Sequence, residues 1–334
     1  VNALVVCAGG GIGDVLLATP VMRALRTRYD RVVALTAPAH REVLAGNPDL
    51  TDVLVDGGSL WSIAGTLRAE RFDAAVVTWA TGRSAALPFL AGIPLRVGQD
   101  RRLYSRLFTR RVVVRSELGD RTTHWTQILL DYARAIGCDT SDATPVFEVD
   151  AAAEQNARAL LDAAGVRGPY AVLHPTRGIT AARERWPAAP LGDLGRALVA
   201  AFGVPLVVSG AAPDAAVAQA VAAAAGGANL AGKTSLGEFG AIAAGARYVV
   251  AMDSGPMHIA AAVGAPTVGI FALQSDEPDR WRPLGPRTAI VRATYPCPAW
   301  HRKETCPDFA CVRALTAGPV VAAVGGLLAR GAEV

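Results

Sequence analysis

Short, wholly apolar runs alternate with amphipathic stretches along this chain, and the alternation occurs twice. Residues 4–7 (LVVC), 32–35, 53–55, 74–78 and 112–114 read as strands buried on both faces, with helical periodicity between most of them. Residues 150–165 form one alanine-rich helical stretch, and 166–169 a turn-forming break. A second series follows, with apolar runs at 170–174, 204–209, 248–252 and 266–271 and a short candidate strand at 229–231, each beside an alanine-rich helix. The pattern predicts an α/β chain of two Rossmann-like, doubly wound domains facing across a cleft. The expected divisions are 1–155, 165–318, and a C-terminal helix in 319–334.

Composition narrows the class without naming a reaction. The chain has 334 residues, of which 51% are hydrophobic and 19% charged, enough to bury two ordinary cores. No apolar run is long enough to span a bilayer, and residues 1–7 lack the basic flank and length of a signal peptide. The cytoplasm is the expected location, with room for peripheral contact at the inner face of a membrane. The net charge of +4 is mild and its arginines are scattered without interleaved aromatics, so the expected partners are small anionic molecules and not nucleic acid. Five cysteines in a chain of this length do not make a disulfide scaffold.

Candidate chemistry is densest in the first twenty residues, VNALVVCAGGGIGDVLLATP. A strand feeds a glycine turn at residues 9–13, and Asp14 opens an amphipathic helix carrying Leu16, Leu17, Val21, Met22 and Leu25. Gly9 and Gly11 have the opening spacing of a dinucleotide fingerprint, but Asp14 stands where the third glycine belongs. Residues 35–37 also lack the carboxylate that would hold a ribose, so NAD is not expected. A carboxylate at a helix start is favoured in its ionised form. Asp14 therefore suits either a proton acceptor or an ordinary helix cap, and the pattern alone leaves both readings open.

Residues 227–234, GANLAGKT, satisfy the P-loop pattern letter for letter. No strand runs into its first glycine, because residues 215–225 read as a helix. Ser235 and Glu238 have capping-box spacing, so Lys233 and Thr234 need only precede a helix. Residues 249–271 are more informative: a strand, a polar turn at Asp253, Ser254 and Gly255, a helix carrying His258 in its first turn, and another strand. A helix that starts at the carboxyl end of a strand offers amides to phosphate oxygens, with Asp253 and His258 in reach of sugar hydroxyls.

Three segments taken together resemble glycosyltransferase family 9, the ADP-heptose transferases of the lipopolysaccharide inner core. They are GGIGDVLLATPVMRALR at 10–26, LHPTRG at 173–178 followed by RERWP at 183–187, and AGKTSLGEFGAIAAGARYVVAMDSGPMHIAAAVGAPTVGIF at 231–271. The resemblance implies a GT-B fold, with the donor held mainly by the second domain and the acceptor by the first. It also implies a C-terminal helix, near residues 319–329, crossing back to the first domain, and an inverting transfer that needs neither metal nor cofactor. By the same resemblance Asp14 is the catalytic base, and Gly10, Gly11 and Gly13 form its side-chain-free loop. Thr176 binds donor phosphates, Lys233 and Thr234 lie near base and ribose, and Asp253, Ser254, Gly255 and His258 form the sugar and diphosphate site. The expected partners are a nucleotide-sugar donor and a glycan, lipid-linked or small-molecule acceptor.

The sequence departs from the family at two places. Glu184 stands where many members carry a lysine before the Trp-Pro pair, which leaves Arg183 or Arg185 to supply the charge. The acidic residue expected near the ribose is not at Ala212, and Asp214 is the shifted candidate. Cys297, His301, Cys306 and Cys311 are chemically suited to zinc but match no standard spacing, so they are read as a structural loop. Asp73, His124 and Trp125 are acceptor-side candidates, each equally suited to a core or capping role. The alternative to heptose transfer is a related transferase with another nucleotide sugar and a non-lipopolysaccharide acceptor. A non-catalytic nucleotide-sugar binder and a P-loop NTPase are the other classes.

Overall fold

The computed structural model describes residues 1–178, 185–298 and 304–331, and it divides into two compact units, Val1–Glu148 and Val149–Val334. In the first unit six parallel strands, β1 (Asn2–Val6), β2 (Arg31–Thr36), β3 (Asp52–Val55), β4 (Ala74–Val77), β5 (Leu95–Gln99) and β6 (Arg110–Val112), lie in the order β3-β2-β1-β4-β5-β6. Strands β1 and β4 are central and almost wholly buried, as their unbroken apolar runs require. Leu4, Val6, Ala75 and Val77 pack there with Leu67, Leu87 and Phe108. Burying each such Leu or Val side chain contributes about 1.5–3 kcal/mol before the entropy of ordering it is subtracted.

The second unit repeats this architecture. Strands β7 (Ala171–His174), β8 (Leu206–Val208), β9 (Ala228–Asn229), β10 (Val249–Met252), β11 (Thr267–Phe271) and β12 (Thr288–Arg292) are parallel, in the order β12-β11-β10-β7-β8-β9. Read from β9, each sheet runs third, second, first, fourth, fifth, sixth. The order reverses between the first and fourth strands, so each unit has its crevice outside their carboxyl ends.

Several elements differ from the sequence reading. Strands β5 (LRVGQ) and β12 (TAIVR) were not expected, because polar residues interrupt their apolar character. The helix Ala151–Ala163, anticipated at the domain boundary, lies in the second unit and packs on the helix Leu236–Ala244. The C-terminal helix Ala317–Gly331 packs on β11, β12 and the helix Ala189–Phe202 of its own unit. Among the described residues no helix is long and apolar enough to cross a membrane.

Candidate active site

In the first unit the glycine loop leaves the carboxyl end of β1, beside the end of β4. Gly9 lies so close to Trp79 that a Cβ there would stand 2.0 Å from the indole Cδ1. Gly10 has φ +74°, and a Cβ on it would meet the Asp14 carboxylate at 2.6 Å. The loop therefore excludes side chains for two reasons, the indole beneath it and the carboxylate above. Gly11 is the N-cap of the helix Ile12–Leu16, and its amide donates to Asp14 Oδ2 at 2.7 Å. Asp14 is thus not the cap itself. It sits in the first helical turn, half-buried, and reaches back to the main chain. Gly10 and Gly11 are exposed beside it and Gly13 is half-buried.

His40, on the 3₁₀ turn Pro38–Leu44, was not singled out from the sequence. Burial lowers its pKa against a smaller upward pull from the Asp14 charge, so the field of that carboxylate reaches it. The other first-unit candidates have structural roles. Asp73 accepts the Asn2 amide at 2.7 Å, at the amino end of β1. His124 is buried and caps the helix Trp125–Arg134, with Nδ1 accepting from the Thr126 amide at 3.2 Å; Trp125 is the first residue of that helix.

In the second unit the crevice lies where β7 and β10 end. Thr176 Oγ1 donates to Asp214 Oδ2 at 3.0 Å, and both residues are buried. Arg177, the next residue, bridges the crevice with Nη2 on Asp253 at 2.8 Å and Nη1 on Asp276 at 2.5 Å. The three side chains are only 11%, 12% and 2% exposed. Burial works against the Arg177 charge, but Asp253 and then Asp276 outweigh it and hold its pKa above the ordinary arginine value. Arg177 and Asp276 were missed in the sequence. Arg177 was in plain view inside LHPTRG, whereas Asp276 lies in an irregular loop after β11 that carries no periodic signal.

The Ser254 hydroxyl donates to Met252 O at 2.9 Å and does not cap the helix Gly255–Ala262 that follows it. His258 is buried in the first turn of that helix. Lys233 is exposed and donates to Asn229 O at 3.0 Å, folding back onto its own loop, and half-buried Thr234 follows it. Strand β9 falls inside the apparent P-loop, and Ser235 and Glu238 form the expected capping box. Arg185 is exposed, and Arg183 lies outside the described residues. Trp186 is buried, donating to Pro175 O at 2.9 Å and packing 5.0 Å from the Phe309 ring, which anchors the Trp-Pro pair under the end of β7.

His174 is buried, with Nδ1 3.0 Å from Ser209 Oγ. Burial, opposed by Asp214, brings its pKa down from 6.5 to about 4. The unfolded chain therefore takes up a proton first as pH falls, and the stability of the neutral imidazole is lost progressively below 6.5. Urea unfolding at pH 5 is expected to give a stability about 2 kcal/mol lower than at pH 7 from this residue alone. A His174→Asn variant should lose that slope; an unchanged slope would assign it elsewhere.

The cysteine segment is part of the core. Cys306 and Cys311 are buried, and the Phe309 amide donates to Cys306 Sγ at 3.3 Å. Burial first, then Cys306 and Cys297, pushes the Cys311 thiol up to about 11, and burial also raises Cys297. Among the described residues no three His, Cys, Asp or Glu side chains are grouped to hold a metal ion, and His301 lies outside them.

The sequence profile of glycosyltransferase family 9 (heptosyltransferase) matches residues 60–308. The chain belongs to glycosyltransferase family 9. Lipopolysaccharide heptosyltransferase 2 of Escherichia coli K12 is 27% identical over 308 residues, covering 84% of this chain and 85% of that protein. Among solved structures, a family 9 glycosyltransferase from Veillonella parvula superposes with a TM-score of 0.81 at 18% identity, covering 98% of this chain and 97% of that one. The E. coli ADP-heptose heptosyltransferase II does so with 0.80 at 22%, covering 99% and 100%. These similarities establish the GT-B fold and a glycosyltransferase of the heptosyltransferase kind. The matched region of this family 9 chain begins after the glycine loop and Asp14.

Proposed function

We propose that this chain is an inverting glycosyltransferase that moves heptose from ADP-heptose to an acceptor hydroxyl, with Asp14 as general base. The observation that carries the reading is a carboxylate at the crevice of the first sheet, held by a main-chain amide behind a loop with no side chains. In a single displacement the acceptor oxygen forms its bond to the anomeric carbon as the bond to the diphosphate breaks. The acceptor proton passes to Asp14, and the electron pair leaves with the phosphate oxygen.

The second unit holds the donor. Thr176 and the start of the helix after Ser254 meet the diphosphate, Asp253 and His258 the sugar hydroxyls, and Asp214, Lys233 and Thr234 the nucleoside. Charge on the departing diphosphate is met by helix amides and guanidinium, so neither metal nor cofactor takes part. Arg177 is already shared between two carboxylates, which makes Arg183 or Arg185 the cation left for the phosphates. The acceptor proposed with it is a glycan hydroxyl, on the likeness to lipopolysaccharide heptosyltransferase 2.

A thermal-shift series tests the donor, because a ligand that binds only the native state raises the unfolding temperature by mass action. ADP-heptose should shift the second unit more than ADP, UDP-sugars or GDP-sugars. A larger shift with a UDP- or GDP-sugar would assign a different donor to the same site.

A further inference from the structure

The loop after β11 carries a carboxylate that no step of the proposed reaction uses. The Asp276 side chain is only 2% exposed, too enclosed to meet a donor itself. Both of its oxygens are engaged within the protein. Oδ2 accepts the Leu273 amide at 3.0 Å, and Oδ1 accepts Arg177 Nη1 at 2.5 Å. From the other side Arg292, the last residue of β12, donates Nη1 to Asp276 O at 2.6 Å and Nη2 to Gln274 O at 3.0 Å. The loop is therefore clamped at two carbonyls and at one carboxylate.

Arg177 passes this anchorage on. Its Nη2 donates to Asp253 Oδ2 at 2.8 Å, so a line of contacts runs from the Leu273 amide through Asp276 and Arg177 to Asp253. A guanidinium is a planar fork, and holding one Nη sets the direction of the other. Asp253, 12% exposed, follows β10 at the crevice and stands just before Ser254, where the helix Gly255–Ala262 begins. A carboxylate in an ion pair only accepts hydrogen bonds. It tells one sugar from another by where the hydroxyls point, and that discrimination is as sharp as the placement of the carboxylate.

We propose that Asp276 is a positioning residue for recognition of the transferred sugar: by holding Arg177 it fixes the Asp253 carboxylate against which the sugar hydroxyls are read. The inference rests on the proposed placement of the sugar at Asp253. It goes beyond that placement by putting part of the selectivity on a residue too enclosed to touch the sugar. A merely structural role for Asp276 would weaken every ligand of the second unit alike. The positioning role confines the loss to the ligand that carries the sugar.

Dissociation constants of the full chain for ADP-heptose and for ADP, measured by titration calorimetry, separate the two roles. Asp276→Asn keeps the shape of the side chain but leaves one oxygen for two donors. It should weaken ADP-heptose roughly tenfold while ADP stays within about twofold. Asp253→Asn should show the same pattern, and the double variant should lose nothing more, because both changes act through one carboxylate. Arg292→Gln, at a half-buried position, releases the loop carbonyls more gently and should move the same ratio about threefold, which decides the matter if Asp276→Asn does not fold. A ratio lowered by Asp253→Asn but unmoved by these loop variants would overturn the positioning role and leave the sugar at Asp253. Additive losses in the double variant would overturn it as well. Native binding of ADP-heptose by Asp253→Asn would remove the sugar from Asp253 and the inference with it. If the native chain prefers another nucleotide sugar, the same ratio is taken with that sugar and its nucleoside diphosphate, and only the proposed donor falls.

Discussion

Replacing Asp14 by Asn is expected to lower kcat by roughly a hundred- to ten-thousand-fold, the range for loss of a positioned general base. The substitution is nearly isosteric, and its side-chain oxygen still accepts the Gly11 amide that Asp14 Oδ2 accepts at 2.7 Å. The helix Ile12–Leu16 should therefore stay in place, with a stability change of about 1 kcal/mol or less from weakening a charge-assisted bond. The donor site is proposed in the other unit, so ADP-heptose is expected to raise the unfolding temperature of the variant as much as that of the native chain. Single-turnover transfer rates and thermal shifts measured together check this. Turnover within a few-fold of native would mean that Asp14 serves only its helix.

Replacing Arg177 by Ala should produce the largest loss of stability of any single change around the crevice of the second unit. The guanidinium is the shared partner of Asp253 and Asp276, and all three groups are nearly enclosed. Removing one member of a buried ion pair typically costs about 3–5 kcal/mol, since the remaining charge loses its counter-ion away from water. Here two carboxylates lose the same partner, and they face the place proposed for a diphosphate. The unfolding free energy of the second unit measured in urea should fall by that amount, and donor affinity should fall with it. Arg177→Lys should recover only part of the stability, because an ammonium has no planar fork with which to hold two carboxylates at once. A midpoint unmoved by Arg177→Ala would show that the bridge contributes nothing to the native fold.

The fold was legible where burial was complete and obscure where it was not. Strands β1, β4, β7 and β10 carry unbroken apolar runs because helices cover both faces, and these four strands define both crevices. β12, at a sheet edge, and β5 and β9 tolerate polar side chains, so periodicity missed β5 and β12 and offered β9 only as a possible short strand. Glycines, caps and the carboxylate at residue 14 leave local signatures, and the glycine loop and the Ser235–Glu238 box were readable from spacing. Arg177, Asp253 and Asp276 were different. Their partnership joins the ends of β7, β10 and β11, and it exists only once the chain crosses over between strands. No window of sequence contains it. The same holds for Thr176 and Asp214, which were each proposed singly and are joined by a hydrogen bond across 38 residues of chain.

The contact between Asp14 and Gly11 has a consequence for how such an enzyme can change. The carboxylate takes part of its aim from the main chain, through the Gly11 amide. Exchanging side chains far from the loop leaves that contact in place. A lineage can retool the unit for a new acceptor while the proposed proton acceptor keeps this anchor, whereas a change that disturbs residues 9–14 or the Trp79 indole against them would remove it.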